Sequence, residues 1–258
     1  MDLVFDAGNS RIGGAVYDGD ACRLRFQFDS RRGWTPDELG WLLTGLLLEH
    51  GIAGTAIQRV AVCSVVSALT GVLAEVAQHA FGVVPMLVDR HAAHGLRIAY
   101  SDPQQLGADR IANAVGALAR YPQRDLIIVD AGTATTVCAV SRERAHLGGA
   151  ILPGIGMAAH SLRQNTGSLP LVQVRHPPVP LGMNTVDNIA AGLYFGQMGA
   201  IRELTQRTRQ AAFADAPALV VGTGGAAALF AEAGLFDAID PDLTLFGTRL
   251  LLDLSAPI

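Results

Sequence analysis

The 258-residue chain sets 19 basic against 23 acidic residues, a formal charge of −4 with a pI near 5.9, so no basic field invites nucleic acid. All the basic side chains are arginines; the absence of lysine excludes a Walker A loop, the strand lysine of protein kinases and Schiff-base chemistry. Hydrophobic content of 50% with a mean hydropathy of +0.32 is high, yet no apolar run reaches the ~18 residues a membrane span needs.

Three scattered cysteines, Cys22, Cys63 and Cys138, predict reduced packing thiols and neither a zinc site nor a disulfide framework. Met1-Asp2-Leu3 lacks the basic region of a signal peptide, which predicts a cytoplasmic protein. The nearest histidines, His91 and His94, read as parts of a solvated loop.

In chain order, residues 2–8, 12–18 and 22–28 read as three strands, the first two joined by the polar turn Gly8-Asn9-Ser10-Arg11. Thr35 with Pro36 and Glu38 forms a capping-box start for a helix through Leu48. Residues 59–65 read as a buried strand, 67–80 as a helix and 83–88 as a further strand, while 89–107 read as irregular. A helix is expected from Ala108 to about Arg120, with Ile111, Val115 and Leu118 on one face.

The stretch Leu126 to Val140 reads as strand, turn and return strand about Asp130-Ala-Gly132. After it come the glycine- and proline-punctuated segment 147–154, a helix at 156–164, a short strand at 172–174 and an extended linker at 176–180. A long helix over 186–209 is capped by Asn184-Thr185; a strand at 218–221 runs into Gly222-Thr-Gly-Gly225 and an alanine-rich helix, and 242–254 closes the chain as a helix.

Residues 3–8 repeat in pattern at 127–132, each copy ending in Asp-Ala-Gly and followed by hydroxyl-bearing residues. The copies lie about half a chain apart, which predicts two duplicated α/β domains, 1–120 and 121–258, with mixed sheets flanked by helices, facing across a cleft that could grip a nucleotide's phosphates. At each turn the carboxylate can hold a cation or orient water and the glycine admits a ligand to the backbone, although an ordinary turn aspartate reads the same way. Asp109, in the first turn of its helix after Gly107, can accept a proton from a hydroxyl or simply complement the helix dipole. A lysine-free chain that handles ATP must use amides, hydroxyls, carboxylates and a metal ion.

Asp6-Ala-Gly-Asn-Ser10, Gly107-Ala-Asp-Arg110, Asp130-Ala-Gly-Thr-Ala-Thr-Thr136, Gly148-Gly-Ala-Ile-Leu-Pro-Gly154, Asn184-Thr185 and Thr223-Gly-Gly225 follow one another in an order and spacing that resembles the type III pantothenate kinases. The resemblance spans nearly the whole chain and implies an actin-like (ribonuclease H-like) fold in each half. It implies ATP-dependent phosphorylation of pantothenate to 4'-phosphopantothenate, the first step of coenzyme A biosynthesis, with Mg2+.

By that resemblance Asp6, Ala7, Gly8, Asn9, Ser10, Arg11, Ile12 and Gly13 look like the first phosphate loop and Thr133 like a second ATP contact. Asp109 looks like the general base, and Tyr100, Gly107, Ala108 and Arg110 like parts of the pantothenate pocket. Asp130 resembles the ligand of a monovalent cation, K+ or NH4+. Thr185 resembles a residue that reaches pantothenate from a second subunit, which implies a homodimer with no nucleic-acid or membrane partner. Ser10 stands where threonine is commoner and Gly13 where some members carry a lysine. A catalytically silent relative that binds nucleotide or pantothenate is the alternative, and intact Asp6, Asp109, Arg110 and Asp130 argue against it.

Overall fold

The computed structural model describes residues 1–255 except 90, 93 and 178. Two compact units form: Met1–Leu96 with Tyr100–Ala119 and the segment from Leu243 onward, and Arg97–Ala99 with Arg120–Asp242.

The first unit holds β1 (Asp2–Ala7), β2 (Arg11–Asp18), β3 (Ala21–Asp29), α1 (Pro36–Glu49), β4 (Arg59–Ser64), α2 (Ser67–Phe81) and β5 (Met86–Leu87). The second is entered through β6 (Arg97–Ile98). After α3 (Ala108–Arg120) follow β7 (Leu126–Ala131), β8 (Ala134–Val140), β9 (Ala145–Pro153), α4 (Ile155–Asn165), α5 (Thr185–Phe213), β10 (Leu219–Thr223), β11 (Ala238–Ile239) and α6 (Leu243–Leu254).

The sheets carry the duplication. The first runs β3-β2-β1-β4-β5 and the second β9-β8-β7-β10-β11 with β6 added beside β9. Each begins with an antiparallel meander of three strands and continues with parallel partners, β4 beside β1 and β10 beside β7. Leu3–Phe5 of β1 and Leu126–Val129 of β7, the runs that lead to Asp6 and Asp130, are wholly apolar because both of their faces are covered.

In the first unit Leu3, Phe5 and Ile12 of the sheet meet Leu39, Leu43 and Leu47 of α1 and Leu73 of α2. The expected cap of α1 forms in full: Glu38 N donates to Thr35 Oγ1 at 3.3 Å and Thr35 N to Glu38 Oε2 at 3.2 Å. In the second unit Ile127, Val129 and Val137 meet Tyr194 and Ile201 of α5 and Phe230.

The expected division into 1–120 and 121–258 differs at the C-terminus. α6 joins the first unit, where Leu252 is buried with Val4, Ala15, Tyr17 and Ala61 on the sheet face opposite α1. It also meets α3 so closely that a Cβ at Gly247 would lie 1.9 Å from the Ala112 carbonyl oxygen. An ionic network finishes the attachment. Arg249, buried at 8% exposure, lies 3.7 Å from Asp2, 3.1 Å from Asp20 and 3.0 Å from Asp253, while Arg59 binds Asp2 and Asp253 at 2.6 and 2.9 Å. Arg249→Met keeps the stem packing and leaves Asp2 paired with Arg59. We expect a loss of about 1–2 kcal/mol, read as a fall of about 2–8 °C in Tm; an unchanged Tm would show that α6 is held by its apolar face alone.

Other departures are local. All of the segment 147–154 but Gly154, which caps α4, belongs to a full strand, β9, because Gly149 lets the chain pass where a Cβ would meet the Val137 carbonyl oxygen at 2.0 Å. The expected strand at 83–88 shrinks to two residues, none forms at 172–174, and the alanine-rich segment after β10 is a 3-10 helix, Ala227–Ala233. Pro178 of the expected linker lies outside the described residues. Within 89–107 two residues pair as β6, and His94 is buried, with its Nδ1 accepting the Leu96 N–H at 2.9 Å; only His91 is exposed.

Candidate active site

In the first unit the turn between β1 and β2 is closed by Gly8 N donating to Arg11 O at 2.9 Å, with Asp6 opposite Gly13 and Ala7 opposite Ile12 in the ladder. Ala7 and Ile12, both expected in the phosphate loop, are fully buried, backbone included, so they pack beneath the turn and are not exposed to a ligand. The turn is buttressed from behind. Ser30 Oγ donates to Gly8 O at 2.7 Å, Ser30 N to Ser10 O at 3.3 Å and Arg31 Nη2 to Ser10 Oγ at 3.3 Å. Ser30 and Arg31 were not foreseen, because nothing in their own sequence distinguishes them from an ordinary turn capped by Asp29.

The end of β4 connects this turn to the start of α3. Val65 N donates to Ala7 O at 3.1 Å, and a Cβ on Gly107 would lie 3.9 Å from Val65 Cγ1. That Cβ would also lie 2.5 Å from Asp109 Oδ1, so glycine at 107 is what gives the carboxylate its place. Asp109 is half-buried in the first turn of α3 and accepts the Arg110 N–H at 2.8 Å. Burial pushes its pKa up, opposed by that N–H and by the Arg110 charge. A carboxylate raised in this way is a better proton acceptor than a solvated one. The Arg110 guanidinium lies 5.5 Å from the centre of the Tyr100 ring, a cation–π contact that holds a positive charge beside the carboxylate. Tyr100, Gly107, Asp109 and Arg110 therefore cluster, while Ala108 is buried behind them.

In the second unit Asp130, the last residue but one of β7, lies beside Thr223, its register partner on β10, so both side chains leave the sheet on the same face. Gly224, at φ +85°, passes so near that a Cβ there would lie 2.3 Å from Asp130 Oδ1; one on Gly132 would lie 3.2 Å from the same oxygen. The carboxylate thus sits in a cradle that side chains would fill. Thr223 Oγ1 is buried with no hydrogen-bond partner among the described residues. An all-oxygen donor set of carboxylate, hydroxyl and carbonyls suits a hard cation. Thr133 follows in the turn, its carbonyl accepting the Gly154 N–H at 3.0 Å.

Thr185 stands elsewhere, exposed in the first turn of α5. It borders a shallow groove of about 400 Å³ with Leu162, Leu169, Asn188 and Ile189, to which no residue of the Asp130 turn contributes. Among the described residues no helix is long and apolar enough to cross a membrane.

Duplicated mixed sheets, each with an acidic turn near the end of its central strand, define an actin-like fold. Solved structures share it: a Baf-family protein of Campylobacter jejuni superposes with a TM-score of 0.60 at 22% identity over 97% of each chain. Spiroplasma citri MreB 5 bound to AMPPNP superposes at 0.52 and 10% identity over 98% of this chain and 96% of that one. Residues 2–207 match the family model for type III pantothenate kinase. The chain is 42% identical over 250 residues to the type III pantothenate kinase of Legionella pneumophila, covering 97% of both chains. This chain belongs to the type III pantothenate kinase family.

Proposed function

We propose that the chain phosphorylates pantothenate with ATP at the primary hydroxyl, giving 4'-phosphopantothenate as the first step of coenzyme A biosynthesis. Membership of the family supports the reaction, and the observation that carries the mechanism is Asp109, given its place by Gly107 with its pKa raised by burial. A bond forms between the hydroxyl oxygen and the γ-phosphorus, the bond from that phosphorus to the β,γ-bridging oxygen breaks, and the hydroxyl proton passes to Asp109. Arg110, steadied on Tyr100, offers a positive charge to the substrate's carboxylate. The Asp6–Gly13 turn offers the amides of Asn9 and Ser10 and the Ser10 hydroxyl to phosphate oxygens, with Thr133 as a further contact.

Mg2+ would neutralise charge developing on the transferred group, and Asp6 would be the carboxylate that orients it. Asp130 with Thr223 would hold the monovalent cation, K+ or NH4+, which adds positive charge without a lysine. Metabolic work of this kind supports a cytoplasmic location.

We assign Thr185 to the pantothenate site of a second copy in a homodimer. Leu181, Met183 and Val186, exposed at 74%, 88% and 48% around the start of α5, support a covered surface there. Thr185→Ala should raise the pantothenate KM about 5- to 20-fold with kcat kept, the loss of one hydrogen bond to a ligand. An unchanged KM would remove Thr185 from the site.

A further inference from the structure

A second pocket of the same unit, of about 430 Å³, lies along the C-terminal half of α5 and is used by none of these roles. Arg202, Thr205, Gln206 and Arg209 line it, spaced so that they share one helix face, while Val220 and Phe236 form part of the facing wall. The two arginines are not spent on carboxylates. Among the described residues each reaches only a carbonyl, Ala233 O and Ala218 O, at the limiting distance of 3.5 Å. The carboxylates in the lining are engaged elsewhere: Asp237 Oδ2 accepts the Val220 N–H at 2.7 Å, and Asp215 takes the Gln210 amide at 3.5 Å.

Thr205 supplies the second observation. Thr44, Thr70 and Thr248, also within helices, each donate to the carbonyl four residues earlier, at 2.8, 3.1 and 2.7 Å. Thr205 is more than nine-tenths buried, lines the pocket, and its hydroxyl has no hydrogen-bond partner among the described residues; the Nε of Arg209, one turn on, is buried in the same condition. Two buried donors one helical turn apart, next to a further guanidinium, form a set that a tetrahedral oxyanion satisfies.

We propose that this pocket binds a phosphate group, with Arg209 and Thr205 as its donors and Arg202 adding charge. The volume exceeds what one phosphate fills, and Asp215 and Asp237 suit hydroxyl groups better than a second anion. The occupant is therefore inorganic phosphate or, fitting better, the phosphate end of a hydroxylated phosphomonoester.

Thermal unfolding of the intact protein in inorganic phosphate and in ribose 5-phosphate, each against matched chloride, tests this. Wild-type Tm should rise by about 3 °C or more once the ligand is tenfold above its Kd. The rise should vanish in Thr205→Val and Arg209→Met, and Arg209→Met should keep its kinase turnover. The ligand effective at lower concentration identifies the source. A rise that persists in both variants belongs to another site, such as the Asp6–Gly13 turn, and overturns the proposal; so does no rise in the wild type. Should Arg209→Met fail to fold, the near-isosteric Thr205→Val decides alone.

Discussion

Asp109→Asn should lower kcat by about 10²- to 10⁴-fold while the pantothenate KM changes little. The substitution is isosteric, so the amide can occupy the space beside Gly107 and its oxygen can still accept the Arg110 N–H now seen at 2.8 Å. What disappears is the proton acceptor alone. The pH profile gives a second reading of the same residue. Asp109 must be ionised to accept a proton, and its pKa is raised above 3.8 by burial, so wild-type kcat/KM should fall on the acid side at a pH above that of an ordinary aspartate. Steady-state kinetics across pH check both statements. Turnover unchanged in Asp109→Asn would remove it from the base role and leave it as a helix-start carboxylate.

Gly224→Ala is expected to have the next largest effect. Its Cβ would lie 2.3 Å from Asp130 Oδ1 and 2.8 Å from Ala131 O, at a φ of +85° that alanine rarely adopts. Backbone cannot yield as a side-chain tip can, so the added carbon must displace either the Asp130 carboxylate or the turn that carries Gly224. We expect a loss of about 1–3 kcal/mol in stability and at least about a tenfold drop in turnover, together with weaker binding at the cation site proposed at Asp130. Gly19→Ala separates the two causes. Gly19 also has a positive φ, +59°, but nothing lies within 4 Å of its added Cβ. It should lose stability of about 1 kcal/mol and keep its activity. Equal effects of the two substitutions on turnover would mean that the cradle around Asp130 does not matter to the reaction.

The parts of the fold legible in the sequence are those where local chemistry and burial agree. Apolar runs ending in Asp-Ala-Gly marked β1 and β7, and the Thr35 capping box marked the start of α1. The clean apolar face of Ile111, Val115 and Leu118 marked α3. β9 was hidden because its glycines, which look like punctuation, serve close strand contact at Gly149. The short strands β6 and β11 gain their pairing from other strands of the sheet, which no local pattern records, and of the strand expected at 83–88 only the two residues of β5 find a partner. The placement of α6 was illegible for the same reason: its polar anchor Arg249 meets residues near the opposite end of the sequence.

The site divides similarly. Asp6, Asp109 and Asp130 stand out as carboxylates at element ends beside glycine, and the structure clusters Asp109 with Tyr100 and Arg110. Ser30 and Arg31, which brace the first turn, act through a turn that spacing in the sequence does not record, and Thr223, although marked by its glycine-rich motif, shares a face with Asp130 only through strand pairing.

The most direct test is ADP release by folded, purified protein with ATP and Mg2+, with and without pantothenate, in potassium and again in sodium buffer. Pantothenate-dependent release that is several-fold faster in potassium is the predicted result. ADP release indifferent to pantothenate, or none under any of these conditions, would contradict the assignment.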